Sequence, residues 1–128
     1  MQIKRVCVLI GAAVLAALPA RADAVSKDDF LARTTKDLVD LCGAAPSDPL
    51  YDAAIHFCHG YVVGAFHYYT AADAAPGPTH IVCLPNPPPS RDQGVQNFVA
   101  WANQNPQYMT EFPVNTLFRF AAMKWPCR

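Results

Sequence analysis

A thiol stands next to an imidazole at Cys58-His59, inside the stretch Phe57–Phe66 that reads FCHGYVVGAF. A cysteine nucleophile needs a base within hydrogen-bond reach and an exposed sulfur of lowered pKa. Neighbouring residues on an α-helix project about 100° apart, so His59 is badly placed to serve Cys58 if the segment is helical. A haem-attachment pattern needs two cysteines before its histidine, and only one is present. His56 and His59, three residues apart, could face one metal ion, but zinc usually asks for four ligands. Gly60 and Val63 occupy the other positions of that face, and His67 lies two turns further on. The histidines therefore read as surface or half-buried side chains. The acids Asp28, Asp29, Asp37, Asp48, Asp52 and Asp92 fall at expected helix starts, where capping and the helix dipole favour them. No serine–histidine–acid pattern and no glycine-rich phosphate loop is present. The expectation is a chain that is not an enzyme and uses no metal and no cofactor.

The elements that hold these residues begin after an export signal. Lys4 and Arg5 precede an uncharged, mostly apolar run from Val6 to Ala20, and Ala22-Asp23-Ala24 supplies a small-x-small exit. That is the pattern of a cleaved secretory signal peptide over residues 1–24, and the run is short for a membrane span. Residues 25–128 then form one small domain with one core. They carry seven bases and nine acids, with no basic patch, which argues against nucleic acid as a partner.

The apolar spacing of the mature chain follows helix periods throughout, which predicts an all-α fold of four to five helices. Ser26 with Asp29 and Thr34 with Asp37 imitate capping boxes, and a helix is expected over Lys36–Cys42, ended by Gly43. Asp48 as N-cap and Pro49 in the first turn predict a second helix running to about Ala72. Its stripe is Tyr51, Ile55, Cys58, Val62, Ala65, Phe66 and Tyr69. Residues 73–89 hold six of the twelve prolines and read as a loop. Ser90 with Gln93 opens a third helix carrying Val95, Phe98, Val99 and Ala102, and Asn105-Pro106 ends it. Pro113 starts the last helix, with Val114, Leu117, Phe118, Ala121 and Trp125 as its stripe. Tyr61, Tyr68, Trp101, Tyr108 and Phe120 fall off these stripes; exposed, they would mark an interface, although filling grooves of the core is the commoner role for such aromatics.

The mature chain keeps an even set of cysteines, Cys42, Cys58, Cys83 and Cys127, in an oxidising compartment, so two disulfides are expected. Three pairings are allowed. Cys42–Cys58 with Cys83–Cys127 is favoured, joining the first two helices and tying the long loop to the C-terminus; Cys42–Cys127 with Cys58–Cys83 is the main competitor. Gly60 and Gly64 each weaken a helix by about 1 kcal/mol relative to alanine. The compensation expected for them is close approach of a helix, of the loop backbone or of a partner subunit.

Leu38-x-x-Leu41-Cys42, Phe57-Cys58-x-Gly60-Tyr61-Val62-x-Gly64, Cys83-Leu84-Pro85, Val95-x-x-Phe98-Val99, Asn105-Pro106 and Trp125-Pro126-Cys127 together form a pattern. It resembles the Rap/Tai family of immunity proteins against type VI secretion amidase effectors, over residues 35–127. The resemblance implies a small periplasmic helical domain, disulfide-bonded and often a homodimer, which binds and blocks a peptidoglycan amidase. The Pro87-Pro88-Pro89 run is richer in proline than the family pattern, and the family's variable contact loops give no residue to carry over. Residues 73–89 and 103–112 are the contact regions expected here, with Arg91 and Tyr108 as named candidates. Two other functions fit parts of the sequence: an HdeA-like acid-stress chaperone or other small binding protein without an effector, and a thiol enzyme that would show free thiols on titration.

Overall fold

The computed structural model describes residues 23–74 and 80–127. The signal peptide expected over residues 1–24 lies outside them, apart from Asp23 and Ala24. The fold is all-α. Helix α1 spans Thr35–Cys42, α2 Tyr51–Asp73, α3 Arg91–Asn103 and α4 Pro113–Lys124. Short 3-10 turns at Lys27–Leu31 and Pro106–Tyr108 precede α1 and α4. The described residues form no strand, only an isolated antiparallel bridge between Val82 and Pro126.

Local chemistry sets the helix starts. The capping boxes Ser26/Asp29, Thr34/Asp37 and Ser90/Gln93 all form. At α1 the Asp37 N–H donates to Thr34 Oγ1 (3.3 Å) while the Thr34 N–H donates to Asp37 Oδ2 (3.0 Å), so two donors that a helix end leaves open are satisfied. Gly43 ends α1 at φ −98°, so a left-handed turn is not its reason. A Cβ there would lie 3.0 Å from the Val39 carbonyl oxygen and 3.5 Å from Val99 Cγ1, and the crowding leaves little room for any side chain.

Helix α2 departs from expectation at its start. It begins at Tyr51 with Leu50 as N-cap. Asp48 is spent one step earlier: Oδ1 accepts from the Leu50 N–H (2.8 Å) and Oδ2 from the Val25 N–H (2.9 Å). The carboxylate thus pins the incoming chain to the turn instead of capping the helix. Ala54 and Cys58 are the buried residues of α2, whereas Tyr51 and Ile55, both placed on the expected stripe, stay half-exposed.

One core joins α1, α2, α3 and α4 through Leu38, Val39, Cys42, Cys58, Val95, Phe98, Ala102, Leu117 and Phe120. A smaller cluster of Val25, Leu41 and Ala54, with Phe30 and Phe57 against it, lies under the first turn. The stripe of α4 is rotated from the expected one. Val114 is exposed, and Thr116, Leu117, Phe120 and Ala121 face inward. Phe120, expected off the stripe, is buried. The rotation follows from a polar contact across the fold: Thr35 Oγ1–H donates to Thr116 Oγ1 at 2.8 Å, both hydroxyls buried. A buried hydroxyl needs such a partner.

Cys42 is bonded to Cys58, and Cys83 to Cys127. The intrachain packing expected at Gly60 and Gly64 does not occur. A Cβ on either would meet nothing within 4 Å, and both glycines face solvent.

Candidate functional site

The disulfides remove the reactive-thiol chemistry that Cys58 offered, since Cys42, Cys58, Cys83 and Cys127 are all bonded. His59 points elsewhere: its Nε2 lies 3.3 Å from Asp92 Oδ1, linking α2 to the first turn of α3. The His56 Nδ1–H donates to the Asp52 carbonyl at 2.6 Å, one turn back on the same helix. Among the described residues no three His, Cys, Asp or Glu side chains gather as metal ligands would. The shifted ionisations are structural in origin. Burial pushes the Tyr61 phenol up, against a weaker opposing hydrogen bond at the Val114 backbone. Burial also raises the Asp40 carboxyl, although Lys36 beside it acts the other way. Lys36 is itself raised, chiefly by its hydrogen bond to Asp40.

What the molecule presents instead is surface. The segment from Ile81 to Ser90 is fastened at three points. The Tyr69 hydroxyl accepts from the N–H groups of Ile81 (3.0 Å) and Val82 (3.2 Å). The Cys83 N–H donates to the Trp125 carbonyl (2.8 Å), beside the Cys83–Cys127 bridge. Ser90 is then held by the α3 capping box. Between the last two fastenings, residues Leu84–Pro88 are exposed, with Leu84 45% accessible. Fixed at both ends, this stretch has little freedom left to lose.

The second expected contact region, residues 103–112, is anchored differently. The N–H groups of Thr35 and Lys36, unpaired within α1, donate to the carbonyls of Glu111 (2.7 Å) and Met109 (3.0 Å). Tyr108 is not free to offer a face. Its ring stacks on Trp101 (centroids 5.6 Å apart, 10° between planes), and the Arg119 guanidinium lies 4.5 Å from its centroid. Arg119 also reaches Glu111 at 3.2 Å. Such a cation–aromatic–aromatic pile orders the connection, and Phe112 projects from its end, 69% exposed. The sequence pointed to Tyr108, whose ring is packed against Trp101 and Arg119, while Phe112 at the end of the same region stands exposed.

Arg91, the other named residue, sits on the rim of an apolar cleft of about 190 Å³ between α2, α3, the fastened segment and α4. On α2's outer side Gly60 and Gly64 leave a strip without side chains, followed one turn later by Tyr68, 78% exposed. The structure thus places Arg91, Tyr108 and the glycine strip on separate surfaces and does not gather them into one site. No described helix is long and apolar enough to cross a membrane.

A comparison with family models matches residues 34–127 to the Rap1a immunity proteins, from the N-cap of α1 through Cys127. No curated protein and no solved structure matched the chain. The chain belongs to the family of Rap1a immunity proteins.

Proposed function

We propose that this Rap1a immunity protein is exported to the periplasm, pairs as a homodimer, and protects the cell by binding and blocking a peptidoglycan amidase effector of type VI secretion. The family match carries the reading, because it spans all four helices and all four bonded cysteines. Blocking is steric and needs no catalytic group. A rigid, exposed edge fills the groove of the enzyme, and the fastened stretch Leu84–Pro88 and the ordered connection ending at Phe112 are edges of that kind. Export is supported by the basic and apolar start of the chain and by two disulfides, which persist in oxidising compartments. Pairing is supported by the bare strip of Gly60 and Gly64, which admits close backbone approach, and by Tyr68 beside it.

The deciding experiment is protection. A peptidoglycan amidase encoded beside this gene is directed to the periplasm of a test bacterium, with and without this chain. Survival only with the chain, and a complex that co-purifies, is the expected result. Lysis in both cases, with no complex, would sink the proposal. Sedimentation equilibrium checks the pairing separately, where a monomer at micromolar concentration removes the homodimer.

A further inference from the structure

Helix α3 opens on a complete capping box, Ser90 with Gln93. Such a start is often finished by an apolar staple, in which the residue before the N-cap packs against the fourth residue of the helix. In this chain those positions are Pro89 and Gly94. The staple lacks its second half, for a Cβ on Gly94 would meet nothing within 4 Å. A glycine so placed weakens the helix relative to alanine, and here it keeps a space open. Pro89 and Gly94 both line the 190 Å³ cleft, whose other walls include Val62, Phe66, Leu84 and Phe98.

The cleft has the size and charge of a socket for a single side chain. Its volume of about 190 Å³ falls short of the roughly 300 Å³ at which pockets for drug-sized ligands begin. Among the described residues no carboxylate lines it. Its rim carries Arg91, which takes part in none of the ion pairs among the described residues. We propose that the cleft receives one apolar side chain of a partner protein, presented beside a carboxylate. The side chain completes the staple between Pro89 and Gly94, and the carboxylate pairs with Arg91. This rests on the immunity reading only for the identity of the partner chain.

The test uses the whole disulfide-bonded protein and N-acetyl-phenylalanine as the probe, an aromatic side chain next to a carboxylate. Amide proton–nitrogen spectra are recorded through a titration. Shifts should centre on Val63, Leu84, Gly94 and Val95, with a Kd of roughly 1 mM. The uncharged N-acetyl-phenylalaninamide should bind at least about threefold more weakly, since it forgoes the charge-assisted pair. Gly94→Leu fills the socket and should weaken the probe at least about tenfold while leaving the melting temperature unchanged or higher. Arg91→Glu puts an acid into the first helical turn, where the dipole favours it, and should bring the affinity for the charged probe down to that for the amide or below it, since like charges then face each other. It decides the matter independently of how Gly94→Leu folds. Shifts absent from the cleft, or indifferent to both substitutions, overturn the proposal. So does decanoate binding about tenfold more tightly than the amino-acid probe, which would make the cleft a site for free amphiphiles. None of these outcomes bears on effector protection, and a failed protection assay leaves the titration standing.

Discussion

The two halves of α2 are made of similar residues and meet opposite fates. From Tyr51 to Gly60 the helix lies against α1, with Ala54 and Cys58 wholly buried and a disulfide across the contact. From Tyr61 to Asp73 no residue is buried, although Val62, Val63, Phe66 and Tyr69 are as apolar as anything before them. Length explains the difference. The 23 residues of α2 extend about 35 Å, while the eight of α1 extend about 12 Å. One partner helix covers the first half only. The second half meets α4 where Phe118 packs on Phe66 and Tyr69, and with α3 and the fastened segment alongside it keeps a cleft on one side and the bare glycine strip on the other. Burial along α2 is decided by the reach of its neighbours more than by its own composition. The first half is closed over by its neighbours, and the second is only partly covered, with Tyr61, Val62, Ala65 and Phe66 packed against the core at one edge.

Substitutions in the two halves should therefore diverge. Replacing Cys42 and Cys58 together by alanine removes a link across 16 residues and should destabilise the protein by about 3 kcal/mol. In a domain of this size a thermal melt should then fall by at least about 12 °C, and an unchanged melt would mean that the covered half does not depend on its bridge. Ala54→Leu forces three more carbons into a filled site and should cost about 1–3 kcal/mol, read as a lower urea midpoint. Val63→Leu, one helix-length further along on the open side, should stay within about 0.5 kcal/mol. Gly60→Ala with Gly64→Ala should stabilise by about 0.5–1 kcal/mol each, because both sites have room. If the strip serves pairing, the same double variant should weaken self-association as it raises the melting temperature. Tyr68→Ser should leave stability within about 0.5 kcal/mol and change only association, measured by sedimentation.

Local features of this fold were legible and distant ones were not. The three capping boxes needed only residues three apart, and each formed as its spacing implied. Helical periodicity was enough for the fold class, and the favoured cysteine pairing coincides with the bonds present. The face of α4 was misjudged because Thr116 looks like a surface residue until Thr35 is brought to it from 81 positions away. Asp48 looked like an N-cap because its second oxygen's debt to Val25 is invisible in the local sequence. The cleft could not be foreseen either. It gathers Val62, Leu84, Gly94 and Leu117 from four separate stretches of the chain, and no local spacing records that meeting.

The order of the bonded cysteines along the chain has a consequence for how the molecule is made. The first bridge closes at residue 58 before the second opens at residue 83, so the two rings are neither nested nor crossed. In a chain exported from its N-terminus and freed of residues 1–24, and with them of Cys7, oxidation of each cysteine as it emerges would join every sulfur to the next one available. Vectorial oxidation alone reaches the correct pairing. On the export proposed above, this pairing of neighbours along the chain calls for an oxidase and for no isomerase.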